Sequence, residues 1–268
     1  MTKPFKADVL VVKLSGKALT ADKALDALFT ALAGSAASAE RTRVVLVHGG
    51  GVEVDALMRG LGRRIDRIEG LRVSPAEDMA VIAGALAGTC SLKLRGAAQR
   101  AGLMPLGLCA TDAGIGRVVP ADPRLGRVGV IVPGDSAAIL RLQALLDAGF
   151  TPVISSVGMD AAGALWNINA DDAAVASAAL LGAPRIFLSD VPGVLDANKH
   201  LFEQLNEEQA ETLIAEGVIS GGMTVKVRAA FRAAAMTGKP VAAASVFDPM
   251  LPNKLASGQL PGTTFTLE

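Results

Sequence analysis

Cysteine and histidine are nearly missing from this chain of 268 residues, which holds two of each: Cys90, Cys109, His48 and His200. Two cysteines are too few for a disulfide framework, and none of the four residues has the spacing of a zinc site. Both thiols are expected to pack as small apolar groups in a reducing cytoplasm. Net charge is missing too. The 26 Lys and Arg balance the 26 Asp and Glu, so no nucleic-acid or anionic-membrane partner is expected. Hydrophobic residues make up 51% of the chain, yet no unbroken apolar run nears the roughly 18 residues of a membrane span. Residues 1–8 carry no signal-peptide pattern and lead directly into an apolar run, so a cytoplasmic protein is expected. Three glycine-loop chemistries are lacking as well. No GxGxxG follows the first strand, and Gly114-Ile-Gly116 has no third glycine. Gly238-Lys239 runs into Pro240, so there is no GxxxxGK[ST]. No GxSxG supplies the serine nucleophile that a lipase-like His-Gly-Gly-Gly loop would serve.

What the chain does have is organised around Val44–Val47, followed by His48 and the three glycines Gly49, Gly50 and Gly51. An apolar run without alternation predicts a strand buried on both faces. Three residues without a Cβ let backbone N–H groups approach a ligand, although a turn that merely packs a helix on a sheet would read the same way. Val9–Val12, Leu103–Leu108, Thr151–Ser156, Arg185–Ser189 and Val241–Ser245 predict further strands. Helices are expected over 21–33, 51–61, 135–148, 222–237 and from Asn169 or Asp171 to Leu181. Pro75 is suited to open a long helix to about residue 100, Asn206-Glu-Glu-Gln209 forms a capping-box pattern, and the closing residues read as a short edge strand. Arg63–Val73 and Arg117–Ile131 read as hairpins. Strands alternating with helices predict an α/β three-layer sandwich, with a central, mostly parallel sheet and helices on both faces.

Two lysines stand out. Lys13 ends an apolar strand, where an ammonium is costly unless it snorkels or meets an anion. Lys226 falls in the first turns of the 222–237 helix, whose positive end disfavours a cation. Either alone reads as a snorkelling surface lysine. Together with glycine-rich turns and no other nucleophile, they point to phosphoryl transfer, which asks mainly for positioning and charge neutralisation.

Seven segments in register resemble the acetylglutamate kinases of the amino-acid kinase family: Lys13–Gly16, His48–Gly51, Gly70–Pro75, Gly84–Thr89, Asn167–Asp171, Leu188–Leu195 and Gly221–Lys226. The resemblance implies that fold and the transfer of the ATP γ-phosphoryl group to the side-chain carboxylate of N-acetyl-L-glutamate, the second step of arginine biosynthesis. It implies catalytic roles for Lys13 and Lys226 on the phosphoryl group, with Asp171 holding both lysines. Gly49 and Gly50 would bind substrate through their N–H groups, Arg72 the α-carboxylate and Asn167 the acetamido end. Gly16 and the segments Asp190-Val191-Pro192-Gly193-Val194-Leu195 and Val218-Ile219-Ser220 would hold the nucleotide, with Mg2+ carried on the ATP phosphates. Residues 1–163 would form an acetylglutamate-binding and dimerisation lobe, and 164–268 an ATP-binding lobe.

Ser15 stands where acetylglutamate kinases usually have a glycine and resembles the uridylate kinase loop. The short stretch before the first strand implies the arginine-insensitive type, a homodimer with the small-residue helix around 84–88 at its interface. The nearest rival activity is another carboxylate or carbamate kinase of the superfamily, such as the aminoadipate-derivative enzyme of lysine synthesis. A non-catalytic amino-acid sensor on the same fold is the alternative from another class.

Overall fold

Apolar runs without alternation need cover on both faces, and the fold supplies it. The computed structural model describes residues 9–37, 42–196, 198–257 and 259–267. In chain order, β1 is Val9–Leu14, α1 Asp22–Ala37, β2 Arg43–His48, α2 Gly51–Gly60, β3 Arg67–Ile68 and β4 Leu71–Arg72. Next come α3 Met79–Ala83, a π-helical turn at Gly84–Cys90, α4 Ser91–Arg100, β5 Pro105–Cys109, β6 Gly116–Pro120, β7 Val128–Pro133 and α5 Ser136–Asp147. They are followed by β8 Thr151–Ser155, β9 Val157–Met159, β10 Leu165–Ile168, α6 Ala170–Leu181, β11 Arg185–Ser189 and β12 Gln204–Leu205. The chain closes with α7 Glu207–Ala215, α8 Gly222–Thr237, β13 Val241–Ser245, α9 Leu251–Ala256 and β14 Thr263–Phe265.

Eight strands in the order β12-β14-β13-β11-β1-β2-β8-β5 make the large sheet. From β13 to β5 every pairing is parallel, and β14 runs antiparallel to β13. The two-residue period of a strand divides its side chains between the layers. Leu10, Val12, Leu14 and Leu46 pack against Leu28 and Phe29 of α1 and Leu94 of α4. Val9, Val11, Val45 and Val47 pack against Leu142 of α5 and Ala174 of α6. This is the three-layer arrangement expected from the pattern. A further cluster joins α7 and α8 to the β13–β14 end, where Phe231 and Phe265 meet edge-on at 5.2 Å. A four-stranded sheet, β6-β7-β10-β9, stands beside the large one.

Local signals are obeyed. Asn206 and Gln209 form the reciprocal capping box of α7, and both expected hairpins form, β3–β4 and β6–β7. The closing strand differs from expectation: β14 is not at the edge, because β12 pairs outside it. The long helix after Pro75 also differs. It starts with a tight turn at Ala76–Asp78 and widens into the π turn where Gly84, Ala85, Ala87 and Gly88 supply little side-chain bulk. Residues 1–8, which carried the expectations of no leader segment and of the arginine-insensitive type, lie outside the described residues.

The π turn seats the glycine turn after β2. A Cβ on Gly50 would lie 2.4 Å from Cys90 Sγ and 3.1 Å from Leu86 Cδ2, so this position has no room for a side chain. Gly50→Ala should therefore lower the unfolding free energy by about 1–3 kcal/mol, the usual cost of overpacking. Adding Cys90→Ala should recover part of that loss. A urea-denaturation double-mutant cycle measures the coupling, and strict additivity of the two changes would show that the contact does not matter.

Candidate active site

Parallel strands collect ligand sites at their carboxyl ends, where the following loops open. Here β1, β2 and β11 deliver the loops at Ser15–Lys17, Gly49–Gly51 and Asp190–Leu195 to one side of the large sheet. Lys13 shares strand parity with Val9 and Val11, so its side chain leaves the sheet on the α6 side. Its Nζ lies 2.7 Å from Asp171 Oδ1, and the lysine side chain is 14% exposed. The ammonium thus meets a carboxylate rather than bulk solvent. Asp171 is free for this contact because Asn169 is the cap of α6, its side chain accepting the Asp171 N–H at 2.8 Å.

Lys226 is exposed in the second turn of α8 and makes no hydrogen bond or ion pair with the described residues. Asp171 therefore pairs with Lys13 alone. Lys13, Asp171 and Lys226 nevertheless border one cavity of about 250 Å3, together with Asp172, Val191, Gly193 and Met223. Burial, with Asp171 adding to it, pushes the Asp172 carboxyl up, against the pull of Arg232.

Backbone donors crowd the same end. A Cβ on Gly16 would lie 3.3 Å from Gly51 N, so the first loop rests on the glycine turn. A Cβ on Gly49 would lie 3.3 Å from Ala170 Cβ, at the start of α6. The N–H groups of Gly16, Gly50 and Gly51 donate to no backbone or side-chain group among the described residues, as is general where a strand turns into a helix, and such donors can meet an anion. Lys17, directly after Gly16, places Nζ 2.6 Å from Asp190 Oδ2. That hydrogen bond from Lys17 holds the Asp190 carboxyl below the usual range, and the charges of Lys17 and Lys226 add to it.

Arg72 is 8% exposed and is no solvated hairpin residue. Its Nη2 pairs with Asp55 Oδ1 of α2 and donates to Gly51 O at 3.2 Å, while its buried Nη1 has no hydrogen-bond partner. Burial pushes the Asp55 carboxyl up, but hydrogen bonds and charge from Arg72 and Arg67 more than offset this and leave it below the usual range. Arg63, Arg64 and Arg67 are exposed and paired with Asp78, Asp66 and Asp55. Asn167 Nδ2 donates to Ser74 Oγ at 3.0 Å, and Ser74 Oγ donates to Arg72 O at 3.3 Å. Arg72 and Asn167 are thereby joined through a fully buried serine.

The segment 190–195 holds its shape through Gly193, at φ 140°, where a Cβ would lie 2.5 Å from Thr263 Oγ1. Thr263 Oγ1 accepts the Val194 N–H at 2.8 Å. Val191 and Gly193 border the cavity, and Pro192 is exposed beside them. Val194 and Ile219 are core residues, Leu195 bridges to Leu201, Val218 is half-buried and Ser220 is exposed. The sequence reading did not single out Asp55, Ser74, Asp172 or Thr263. Each matters through a partner distant in the chain, which periodicity cannot show.

Comparison with known proteins gives three findings. The model of the amino acid kinase family matches residues 8–244. Acetylglutamate kinase of Vibrio vulnificus is 46% identical over 265 residues, 99% of both chains, and acetylglutamate kinase of Aeromonas salmonicida 46% over 258 residues, 96% and 98%. The solved carbamate kinase of Giardia lamblia superposes with a TM-score of 0.67 at 16% identity, over 98% of this chain and 99% of that one, and supports the fold.

The Asp55–Arg72 pair makes a stability prediction. A carboxyl held low contributes stability above its ordinary value near 3.8, and that contribution is lost as pH falls through the lower folded value. Asp55→Asn should cost about 3 kcal/mol at pH 7, because it leaves a buried guanidinium without its counter-charge. The gap from the parent protein should narrow below about pH 4. Chemical denaturation across pH 3–7 checks this, and a gap that stays constant over the range would contradict it.

Proposed function

The chain belongs to the amino acid kinase family, and on that premise we propose that it phosphorylates the side-chain carboxylate of N-acetyl-L-glutamate with ATP, as a phosphotransferase of arginine biosynthesis. The observation that carries the mechanism is the meeting of Lys13, Asp171 and Lys226 on one cavity; the glycine turn does not line that cavity but reaches its Asp171 end through the close approach of Gly49 to Ala170.

The acceptor needs no general base, since a glutamate-type carboxylate with pKa near 4.3 is ionised at neutral pH. The obstacle is repulsion between two anions. Lys13, oriented by Asp171, and Lys226, unpaired, neutralise charge on the phosphoryl group as it passes. Gly50 and Gly16 offer their N–H groups to the oxygens of the transferring phosphoryl group and the nucleotide phosphates, while Gly49, whose own N–H reaches Leu14 O at 3.4 Å, serves the acceptor by letting the backbone come close. Arg72, its guanidinium held by Asp55, offers Nη1 to the α-carboxylate, and Asn167, held by Ser74, serves the acetamido end.

Nucleotide binding is assigned to Asp190–Leu195 and Val218–Ser220, in a lobe of residues 164–268, with acetylglutamate and dimer contacts in residues 1–163. Mg2+ enters on the ATP phosphates. Asp171 and Asp190 each face a lysine, which fits an ion carried by the nucleotide rather than by these carboxylates. When bound, the ion would add positive charge against the negative charge of the phosphates.

The proposal includes a homodimer, supported by β5, whose outer edge has no pairing strand among the described residues, with the Gly84–Gly88 helix beside it. It also includes residence in the cytoplasm, to which the free thiols Cys90 and Cys109 are suited. No helix among the described residues is long and apolar enough to cross a membrane.

Hydroxylamine trapping of the acyl phosphate tests the substrate. A hydroxamate should form with N-acetylglutamate and not with aspartate, carbamate or aminoadipate derivatives, and preference for another acceptor would displace the proposal. Lys226→Ala should lower kcat by about 10²–10³. An unchanged kcat would remove that lysine from the mechanism. Arg72→Ala should act mainly on KM for the acetylated substrate, by about tenfold or more, measured by steady-state kinetics at saturating ATP.

A further inference from the structure

His48 sits under the glycine turn and takes no part in the mechanism above. It is fully buried. Its Nδ1 lies 2.9 Å from Gly49 O, and its Nε2 is buried without a hydrogen-bond partner. A carbonyl oxygen can only accept, so Nδ1 carries the proton in this contact. The ring is neutral, because burial lowers its pKa and Arg95 lowers it further against the raising effect of the Gly49 contact. The tautomer is thereby fixed as Nδ1–H.

This contact has a geometric consequence. A trans peptide unit is planar, with its C=O and N–H pointing in opposite directions. No peptide bond among the described residues is cis, so Gly49 O and Gly50 N–H lie on opposite sides of one rigid plane. Holding the carbonyl down to the imidazole turns the Gly50 N–H up, away from the core, where it has no partner among the described residues. The plane has few other restraints. Gly50 O accepts from Val54 N at 2.8 Å and fixes the next unit, while Gly49 N reaches Leu14 O at only 3.4 Å. Glycines on both sides of this unit would otherwise allow it to rotate.

We propose that His48 is a positioning residue: its Nδ1–H locks the Gly49–Gly50 peptide plane so that the Gly50 N–H stands ready as an oxyanion donor to the transferring phosphoryl group. The inference rests on phosphoryl transfer at this turn for its consequence, but the hydrogen bond itself can be tested without it.

Side-chain replacements separate donor position from bulk. The amide nitrogen of asparagine falls near Nδ1 of histidine, and that of glutamine near Nε2. His48→Asn should keep kcat within about threefold of the parent. His48→Gln and His48→Leu, shown folded by circular dichroism and thermal unfolding, should lose at least tenfold in kcat with KM for both substrates changed much less. That pattern is expected of a preorganised transition-state donor. Equal loss in all three variants, or a folded leucine variant with parental kcat, would overturn the proposal. Long-range 1H–15N NMR of the unmodified protein provides a second arm, which requires the Nδ1–H tautomer at neutral pH. The Nε2–H tautomer would overturn the proposal whatever the substrate proves to be. Correct tautomer with no phosphoryl transfer to any carboxylate would instead count against the functional reading.

Discussion

A lysine at the end of a strand buried on both sides is costly, and the contact between Lys13 and Asp171 is what makes it tolerable. Much of the structure follows from that contact. β1 sits between β11 and β2 in the middle of the large sheet, so its last residues are flanked by the two loops that matter most. Strand parity sends Lys13 toward α6, and Asn169 takes over the capping of α6, which leaves the Asp171 carboxylate unused by the backbone. A cap supplied by Asp171 itself would have left Lys13 without a counter-charge. The pair is partly exposed on the carboxylate side, so its worth lies less in stability than in holding an ammonium at a fixed point on the cavity wall.

A second constraint is close approach of backbone to backbone. The turn after β2 is pressed by the loop of Gly16, by Cys90 of the π turn and by Ala170 of α6. Three elements converge on a segment with no Cβ, and the unpaired N–H groups that result are those an anion would use. The π turn has a local role here: widening the helix brings Cys90 against Gly50. Small residues at Gly84–Gly88 permit this turn, and so does the β-strand end it packs on.

Features that depend on neighbours in sequence were legible before the structure. The bounds of α8, the capping box at Asn206 and Gln209, the hairpin around Gly70 and the doubly buried strands all follow from spacing, turn residues and the absence of alternation. Lys13 and Lys226 were legible for a different reason, since each breaks a local electrostatic rule. Features that depend on distant partners were not. β14 pairs between β13 and a two-residue strand that carries no periodic signal, so in sequence it reads as an edge. Arg72 reads as a surface residue until α2 folds Asp55 against it, and Lys17 gains meaning only when the loop after β11 brings Asp190 within 2.6 Å.

The two lysines of the cavity divide the electrostatic work unequally. In the proposed transfer Lys13 would bring its charge to the phosphoryl group from a point that Asp171 already holds fixed. Lys226 is different. It stands near the positive end of α8, a position a cation disfavours, and no carboxylate among the described residues lies within ion-pair distance of it. An anion at the mouth of the cavity therefore relieves two unfavourable terms at once, the unpaired ammonium and the helix end. The relief grows as negative charge on the transferring group shifts toward that end. A lysine placed by the rules of helix stability would sit at the other terminus; under the proposed mechanism this one stands where a passing phosphoryl group would meet it more strongly than either resting state does.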